Sequence, residues 1–248
     1  MPDGGGENGE MNGHSKGQLN PPATRSNVAL YDKYADWYEE FVTSGGARDY
    51  SARVATVVTQ LLGPGHGVCL DVCCGTGVRA ATVQGLGWHP IGVDLSPNQL
   101  GYAAKRLPVA NGDATALPIA TDSVDAAVCV LGHTDVPDYA AVVREAVRTL
   151  RPGGTFVHIG VHPCFCGYHA DWSDRQRILL TPGYNTPTRS FTTWSPDGVR
   201  ARVGAWHLPL GGLMTAILGA GLRITSLIEA GPAELPDLLG IAAVLPAD

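Results

Sequence analysis

From residue 67 onward, short apolar runs alternate with segments of helical patterning, and this alternation restricts the fold more than any other feature of the sequence. Apolar runs of strand length lie at residues 67–72, 90–95, 109–111, 123–131 and 155–161, and two more follow at 223–229 and 241–245. A further helix is expected at 208–221. Parallel strands need crossover connections, which the intervening helices supply. The sequence therefore predicts an α/β domain with a doubly wound, mostly parallel sheet of seven strands.

The N-terminal part differs from the rest of the chain. Residues 1–26 contain six glycines, three prolines and almost no apolar side chains, so ordering them would not repay its entropy cost. We expect a flexible tail there and one domain over residues 27–248. Aromatic residues at helical spacings predict a helix over residues 28–42, and a second helix is expected from about Tyr50 to the breaker at Gly63. The aromatic residues are Tyr31, Tyr34, Trp37, Tyr38 and Phe41.

Residues 163–206, called the cap below, interrupt the alternation after the fifth strand. A strand and a helix are usually joined by about 2–6 residues, so a segment of this length is an insertion. Its aromatic residues suit an apolar ligand, and its arginines could bind a carboxylate or phosphate on that ligand. We predict that the cap and the N-terminal aromatic helix together form a lid over the carboxyl ends of the strands. The arginines are Arg175, Arg177, Arg189, Arg200 and Arg202, and the aromatic residues include Trp172, Tyr184, Phe191, Trp194 and Trp206.

Charge and composition argue against several classes of protein. The chain has 17 basic and 23 acidic residues with only three lysines, which leaves no basic stripe for duplex DNA. No apolar stretch approaches the ~18 residues of a membrane span, and the N-terminus lacks the pattern of a secretion signal. The six cysteines are typical of reduced core thiols in a cytoplasm. We therefore expect a cytoplasmic protein that acts on a small molecule, without a DNA or membrane partner; monomer and homodimer both stay open.

The first strand runs into the segment LDVCCGTGVRA, which contains the first candidate site. Gly75 and Gly77 allow a ligand to approach the backbone closely, and the helix that follows presents free N–H groups. In open α/β sheets, ligands bind beyond the carboxyl ends of the strands, where this loop lies. The glycine spacing, with Asp94 placed 19 residues after Gly75, also matches a dinucleotide-binding loop. Taken alone, this segment leaves NAD open as the ligand.

Further motifs narrow the choice. Asp71 lies inside the end of the first strand, where a buried carboxylate needs partners. The third strand ends in NGDATALP, whose Asp113 can accept a hydrogen bond from an adenine amino group, and LRPGG leads into the fifth strand. Together with LDVCCGTG and GVDLS, these motifs have the order and spacing of the class I S-adenosylmethionine-dependent methyltransferases, whose small-molecule branch residues 28–248 resemble. The resemblance implies a Rossmann-like fold with an N-terminal helical lid.

The same resemblance implies that S-adenosylmethionine is the cofactor and assigns residues to its parts. Residues 73–77 would cradle the methionyl part, Asp94 would bind the ribose hydroxyls, and Leu95 would pack on the adenine. Tyr31 and Tyr38 match the tyrosines with which the N-terminal helix of the family closes over the cofactor, although they could also serve only to dock that helix. The full predicted set is Tyr31, Tyr38, Asp71, Cys73, Cys74, Gly75, Thr76, Gly77, Asp94, Leu95, Gly112, Asp113, Ala114 and Leu131.

Two histidines are candidates for a general base. His133 follows the fourth strand, where the substrate of the family meets the methyl group, and His162 ends the fifth strand. Each could instead pack or contact the cofactor, while His158 in mid-strand is predicted to be structural. His162 also begins a run of possible zinc ligands, but structural zinc sites usually take pairs of ligands from two separated segments. We therefore predict no metal site.

The function that follows is transfer of a methyl group from S-adenosylmethionine to a small-molecule acceptor. The low lysine content beside abundant alanine, glycine and arginine is typical of a GC-rich bacterium, which favours a specialised-metabolite acceptor. A non-methylating reaction on the same fold, such as a cyclisation, and methylation of protein or RNA both stay open. A dehydrogenase would need a separate substrate domain, for which little chain follows the last strand. Whether oxygen, nitrogen or carbon accepts the methyl group is not predicted.

Overall fold

The computed structural model describes residues 29–44, 47–174, 176–191, 198–232 and 235–247. The predicted tail over residues 1–26 lies outside the described residues, as do Arg175 and Trp194 of the cap. The strands are β1 Val68–Val72, β2 His89–Asp94, β3 Val109–Asn111, β4 Val124–Val130, β5 Leu150–Val161, β6 Ala170–Asp171, β7 Leu179–Leu180, β8 Arg189–Ser190, β9 Ala205–Trp206, β10 Arg223–Ala230 and β11 Leu238–Val244. The helices are α1 Ala35–Ser44, α2 Arg48–Leu62, α3 Ala80–Gly85, α4 Pro97–Ala103, α5 Tyr139–Thr149, α6 Val199–Val203 and α7 Leu210–Gly219.

Seven strands form one sheet in the order β10-β11-β5-β4-β1-β2-β3. β1 to β5 run parallel to one another, and β11 is antiparallel to both β5 and β10. This arrangement confirms the predicted doubly wound, mostly parallel sheet. The chain moves from β1 toward one edge through β2 and β3, and then returns to β4 on the other side of β1. The point between β1 and β4 is therefore the topological switch at which such sheets bind ligands.

Helices cover both faces of the sheet, and successive residues of a strand therefore pack against different helices. Leu70 packs in the cluster that contains residues of α5 and α7, whereas its neighbour Cys69 packs in the cluster that contains residues of α2. Strands buried on both faces explain the continuous apolar runs of the sequence. All six cysteines are free, as predicted.

The largest differences from the predicted elements are at β5, at β11, which begins at Leu238 and not at residue 241, and in the N-terminal aromatic segment. β5 begins at Leu150 and not at residue 155, because Gly153 and Gly154 exchange backbone hydrogen bonds of 2.9 Å with Leu245 and so continue the ladder. The predicted turn at LRPGG is therefore part of the strand. The N-terminal aromatic segment is not one helix either: a 3₁₀ turn at Asp32–Tyr34 precedes α1.

The cap contains two small antiparallel pairs, β6 with β7 and β8 with β9, and α6 lies between β8 and β9 in the sequence. α6 lies next to α1, since the guanidinium of Arg202 is 4.1 Å from the ring centroid of Trp37. In the part of the chain that the structure describes, no helix is long and apolar enough to cross a membrane.

Candidate active site

A cavity of about 870 Å³ opens at the carboxyl ends of the strands, beside the switch point between β1 and β4. The loops after β1 to β4 form one end of it, called the cofactor half below. Residues of α1, α2 and the cap form the other end, called the acceptor half, which includes Phe41, Tyr50, Trp172 and Val199. Ligand sites usually measure about 300–1,000 Å³, so this volume is at the upper end and suits two molecules side by side.

Asp94, at the end of β2, organises the cofactor half. Its Oδ2 accepts a hydrogen bond of 2.8 Å from the backbone N–H of Gly75, and its Oδ1 accepts one of 2.9 Å from Ser96. One carboxylate therefore holds both the loop after β1 and the start of α4. Burial raises the pKa of Asp94 above its usual value, and the two backbone donors oppose that rise.

The other carboxylate of the cofactor half is Asp113, after β3. Its Oδ1 accepts hydrogen bonds of 2.8 Å from both the backbone N–H and the hydroxyl of Thr115. These bonds hold the side chain in a turn that lines the cavity together with Gly112 and Ala114. The three residues thus lie after β3, in the wall of the cavity.

The predicted cofactor residues separate into two groups. Ten of them line the cavity and four do not. Gly77 is turned toward α4, where an added Cβ would lie 2.7 Å from Leu107, and Cys74 packs its sulfur against Gly92. Asp71 and Thr76 are buried behind the loop. The lining residues are Tyr31, Tyr38, Cys73, Gly75, Asp94, Leu95, Gly112, Asp113, Ala114 and Leu131.

The cofactor half fits an S-adenosyl group. Gly75 has φ +56°, and a Cβ added to it would lie only 3.0 Å from Oε1 of Gln99. A side chain at this position would therefore narrow the floor of the cavity. Nε2 of Gln99 is buried and has no hydrogen-bond partner among the described residues. Such a ligand carries hydroxyl and amino groups, to which the carboxylates of Asp94 and Asp113 can bind. The unpaired amide of Gln99 can donate to the ligand's carboxylate.

His133 stands behind the wall of the large cavity. Its ring packs on Gly160, where a Cβ would lie 2.5 Å from Nδ1, and the centroid of the His158 ring is 5.1 Å away. Burial lowers the pKa of His133 well below its usual value, so the ring is neutral. It lines a separate cavity of about 10 Å³, the room of about one water molecule, together with Thr134, Arg200 and others. Its assignment as the base stays a prediction.

His158 within β5 and His162 directly after it point elsewhere. Nε2 of His162 lies 2.7 Å from Oε1 of Glu229 on β10, and His162 lines neither cavity. This placement gives no support to a role for His162 as a base. Nδ1 of His158 lies 2.7 Å from the hydroxyl of Tyr139 in the core, which is the packing role expected for it.

Two residues of the cavity wall, Asp135 and Arg200, are absent from the predicted set of site residues. Asp135, two residues after His133, lines the cavity, and its Oδ1 accepts a hydrogen bond of 3.1 Å from the hydroxyl of Tyr31. Burial raises the pKa of Asp135 to about 7. Arg200, on α6 of the cap, lines both cavities. The signal that could have found Asp135 is its place in the loop after the fourth strand, two residues after His133.

Within the described residues, no group of three or more histidine, cysteine, aspartate or glutamate side chains could hold a metal ion. The run of possible ligands near His162 is used otherwise. Nε2 of His169 lies 3.2 Å from the carbonyl oxygen of Cys164, and the thiol of Cys166 donates to the carbonyl of Asp237 across 3.6 Å.

Comparison with known proteins finds similarity to methyltransferases over part of the chain. Residues 69–154 match the model of a methyltransferase domain. The chain is 37% identical over 136 residues to a demethylmenaquinone methyltransferase of Mycolicibacterium paratuberculosis, a match that covers 54% of this chain and 58% of the relative. A protein of the same name from Oceanobacillus iheyensis is 35% identical over 111 residues, or 40% of this chain and 47% of the relative. The chain thus spans about half the length of these curated relatives.

Solved structures show the same fold over more of the chain. An S-adenosylmethionine-dependent methyltransferase of Mesorhizobium loti has a TM-score of 0.66 at 23% identity, covering 79% of this chain and 99% of its own. A [4+2]-cyclase has a TM-score of 0.59 at 18% identity, covering 81% of this chain and 84% of its own. At such identities the likeness concerns the fold alone. With a methyltransferase domain matched over residues 69–154 and the predicted motifs on one sheet edge, the chain has the fold of the class I S-adenosylmethionine-dependent methyltransferases, and S-adenosylmethionine is the cofactor that this similarity implies.

Proposed function

We propose that the protein transfers a methyl group from S-adenosylmethionine to a small-molecule acceptor bound in the acceptor half of the cavity. The observation that carries this proposal is the continuity of one cavity of about 870 Å³ between the cofactor loops and the cap. Such a cavity lets two ligands meet out of contact with bulk water, which alignment of an acceptor with a methyl donor requires.

In the cofactor half, Asp94 would bind the ribose hydroxyls and Asp113 the adenine amino group, while Gly75 leaves room beside the loop after β1. When bound, S-adenosylmethionine supplies a methyl group on a positively charged sulfur, which is already a good leaving group. What the protein adds is alignment, exclusion of water and, where the acceptor carries a proton, a place for that proton.

The walls of the acceptor half support a small and largely apolar acceptor. Phe41, Tyr50 and Trp172 contribute aromatic surface, and Val199 and Pro232 contribute aliphatic surface. Aromatic side chains of this kind favour a planar ring system. The relatives reported above are named for a quinone acceptor, and we include specialised metabolites with a planar ring system in the proposal. A cytoplasmic location without a DNA partner is part of the same proposal.

The test uses the full chain with S-adenosylmethionine labelled in its methyl group and a panel of planar quinols, phenols and aromatic amines. We expect a labelled small-molecule product and an equal amount of S-adenosylhomocysteine. The Asp94→Ala variant serves as the control that weakens the cofactor site without touching the acceptor half.

Three outcomes would contradict the proposal in distinguishable ways. Failure of S-adenosylhomocysteine to bind in titration calorimetry would remove the cofactor assignment. Turnover of a substrate without release of S-adenosylhomocysteine would favour a non-methylating reaction such as a cyclisation. Label recovered in protein or RNA fractions of a cell extract, with none in small molecules, would assign a macromolecular acceptor.

A further inference from the structure

We propose that the acceptor carries an acidic hydroxyl group, a phenol or an enol, which binds between Arg200 of the cap and Asp135 after β4, and that Asp135 removes its proton. This inference rests on the proposed function and names the chemical class of the acceptor.

Arg200 is the first observation. Among the described residues that line the large cavity, it is the only lysine or arginine. Its side chain is half-buried, and it has neither an ion pair nor a hydrogen bond to any described residue. The other arginines of this part of the cap are engaged, since Arg189 donates to the carbonyl of Val203 and Arg202 stacks on Trp37 at 4.1 Å from the ring centroid. A half-buried cation without a partner in a cavity wall suits an anionic oxygen of a ligand.

Asp135 is the second observation. It lines the same cavity and keeps its orientation through the hydrogen bond of 3.1 Å from Tyr31. The positive charge of Arg200 lowers the pKa of Asp135 and so opposes the effect of burial, which places the two groups within electrostatic reach of each other. With a pKa of about 7, the carboxylate can accept a proton near neutral pH.

The remaining carboxylates of the cavity have other partners. Asp94 and Asp113 belong to the cofactor half, as described above. Asp237 lies in the wall near α2, where its Oδ2 forms an ion pair of 2.7 Å with Nη2 of Arg53. Asp135, in the loop after β4, and Arg200 of the cap are therefore opposite charges in the wall of the cavity, next to the apolar and aromatic residues of the acceptor half. This pattern favours a planar molecule with one ionisable hydroxyl, and it disfavours a cationic amine, which Arg200 would repel.

The chemical step follows from this placement. The O–H bond of the acceptor breaks and its proton passes to the Asp135 carboxylate, while Arg200 stabilises the oxyanion. An electron pair of that oxyanion, on oxygen or on a conjugated ring carbon, forms the new bond to the methyl carbon as the carbon–sulfur bond breaks with its pair on sulfur. If carbon accepts the methyl group, the ring C–H proton then leaves to water. Asp135 returns its proton to solvent, so the step needs no further reactant.

The experiment uses 4-nitrophenol as the probe and 4-nitroanisole, its neutral methyl ether, as the matched ligand, both with saturating S-adenosylhomocysteine. The phenolate has its own visible absorbance, which reports the ionisation of the bound probe directly. We expect the protein to bind 4-nitrophenol as the anion, with a lower apparent pKa than in water. Arg200→Gln should reduce the preference for phenol over ether by about tenfold or more, and Arg200→Lys should restore part of it.

Variants with matched charge changes complete the test. Arg202→Gln removes the same charge from the same helix outside the cavity wall and should keep the wild-type preference. Asp135→Asn should retain phenolate binding, because it removes a negative charge beside the anion, yet should slow methyl transfer to any hydroxyl acceptor by about 10²–10⁴-fold. Thermal unfolding of each variant shows whether it is folded.

The inference is overturned if 4-nitrophenol does not bind, if it binds as the neutral phenol, or if Arg200→Gln and wild type show the same preference. Binding of S-adenosylhomocysteine is measured first in every variant. If wild type fails to bind it, the proposed function fails. If wild type binds it and methylates amines but not hydroxyl compounds, the proposed function stands and only the acceptor class is wrong.

Discussion

The hydroxyl of Tyr31 donates a hydrogen bond of 3.1 Å to Oδ1 of Asp135, a contact that joins the segment before α1 to the loop after β4. Burial raises the pKa of Tyr31 well above its usual value, so the hydroxyl stays protonated and keeps donating. The Tyr31 ring also meets the ring of Tyr38 edge to face, with centroids 5.5 Å apart. The position of the N-terminal segment and the ionisation of Asp135 are therefore linked through one side chain.

Tyr31→Phe should raise the pKa of Asp135 further, because the lost hydrogen bond favours the charged carboxylate. We expect a rise of about one pH unit, equivalent to about 1.4 kcal/mol. A carbon-13 titration of the Asp135 carboxyl group by NMR measures it. Tyr34→Phe removes a hydroxyl from the same segment away from the cavity wall and should leave the titration unchanged. An unchanged titration in Tyr31→Phe would show that the hydrogen bond has no influence on Asp135.

Asp94→Ala should weaken binding of S-adenosylhomocysteine by about 1–3 kcal/mol, because ligand hydroxyls lose an ionic partner. The same change leaves the backbone N–H groups of Gly75 and Ser96 without their acceptor, so the loop after β1 should also loosen. Titration calorimetry gives the affinity, and Glu40→Ala, which removes an exposed carboxylate from α1, is the control. Wild-type affinity in Asp94→Ala would remove the ribose assignment.

The sheet and the position of the cavity could be predicted because both depend on local patterns. Each of these patterns involves only a few neighbouring residues: the apolar runs, the glycine breakers and the N-cap of α4. At that N-cap, the side chain of Ser96 accepts a hydrogen bond from the backbone N–H of Gln99. The antiparallel ladder between β5 and Leu245 is not a local pattern, because its hydrogen-bonding partners are about 90 residues apart in the sequence. This separation in the sequence explains why the predicted start of β5, at residue 155, is five residues too late.

The site was predicted less completely for a related reason. Motif order indicates which loops surround a ligand, but it does not say which way each side chain turns, so Gly77 and Thr76 were grouped with Gly75 although they face away from the cavity. Arg200 was predicted only as one of five arginines of the cap, because the sequence does not show which of them reaches the cavity. Asp135 was not predicted at all, because its burial and its contact with Tyr31, more than 100 residues away in the sequence, are visible only in the structure.

Gly77→Ala should destabilise the fold by about 1–3 kcal/mol. Gly77 has φ +73°, which strains an alanine, and the new Cβ would lie 2.7 Å from Leu107 and 3.1 Å from Ala103. Gly85→Ala, in α3 with nothing within 4 Å of the new Cβ, should be neutral or stabilising by up to about 1 kcal/mol. Urea unfolding measures both. Because Gly77 does not line the cavity, the folded variant should keep its affinity for S-adenosylhomocysteine; a selective loss of affinity would restore Gly77 to the binding site.

Asp71 should make the protein less stable as the pH rises. Burial raises its pKa from 3.8 to about 7, so between these values the folded chain binds a proton that the unfolded chain has lost. The free energy of unfolding should therefore fall over that range, by at most about 4 kcal/mol, and show no further loss from this group above about pH 7. Asp71→Asn removes this contribution.

The measurement is urea unfolding at several pH values between 4.5 and 8, with the difference between wild type and Asp71→Asn as the result. Taking the difference cancels the contribution of Asp135, which is present in both proteins. Asp49→Asn, on the exposed side of α2, should follow the wild-type curve. A constant difference between wild type and Asp71→Asn across the range would mean that Asp71 keeps its charge when buried.

Arg106 connects α1 to the cofactor loop, and it offers the test of whether the N-terminal segment acts as a lid. Its guanidinium binds the Glu39 carboxylate of α1 through contacts of 2.5 and 3.0 Å and donates a hydrogen bond of 2.6 Å to the carbonyl of Thr76. The pair with Glu39 is partly exposed, so its removal should cost only about 1 kcal/mol of stability. Its larger effect should be local, because α1 loses its attachment beside the loop.

Hydrogen exchange followed by mass spectrometry with and without S-adenosylhomocysteine measures that effect. In wild type, we expect the ligand to add protection to residues 35–44, because it contacts Tyr38 when α1 is closed. Arg106→Ala should exchange faster there without ligand and bind S-adenosylhomocysteine about tenfold more weakly, since closure then costs about 1.4 kcal/mol more. Lys105→Ala, one residue away with its ammonium group over Tyr102, should behave as wild type. If residues 35–44 are equally protected with and without ligand in wild type, α1 is fixed packing and the lid has to be assigned to the cap alone.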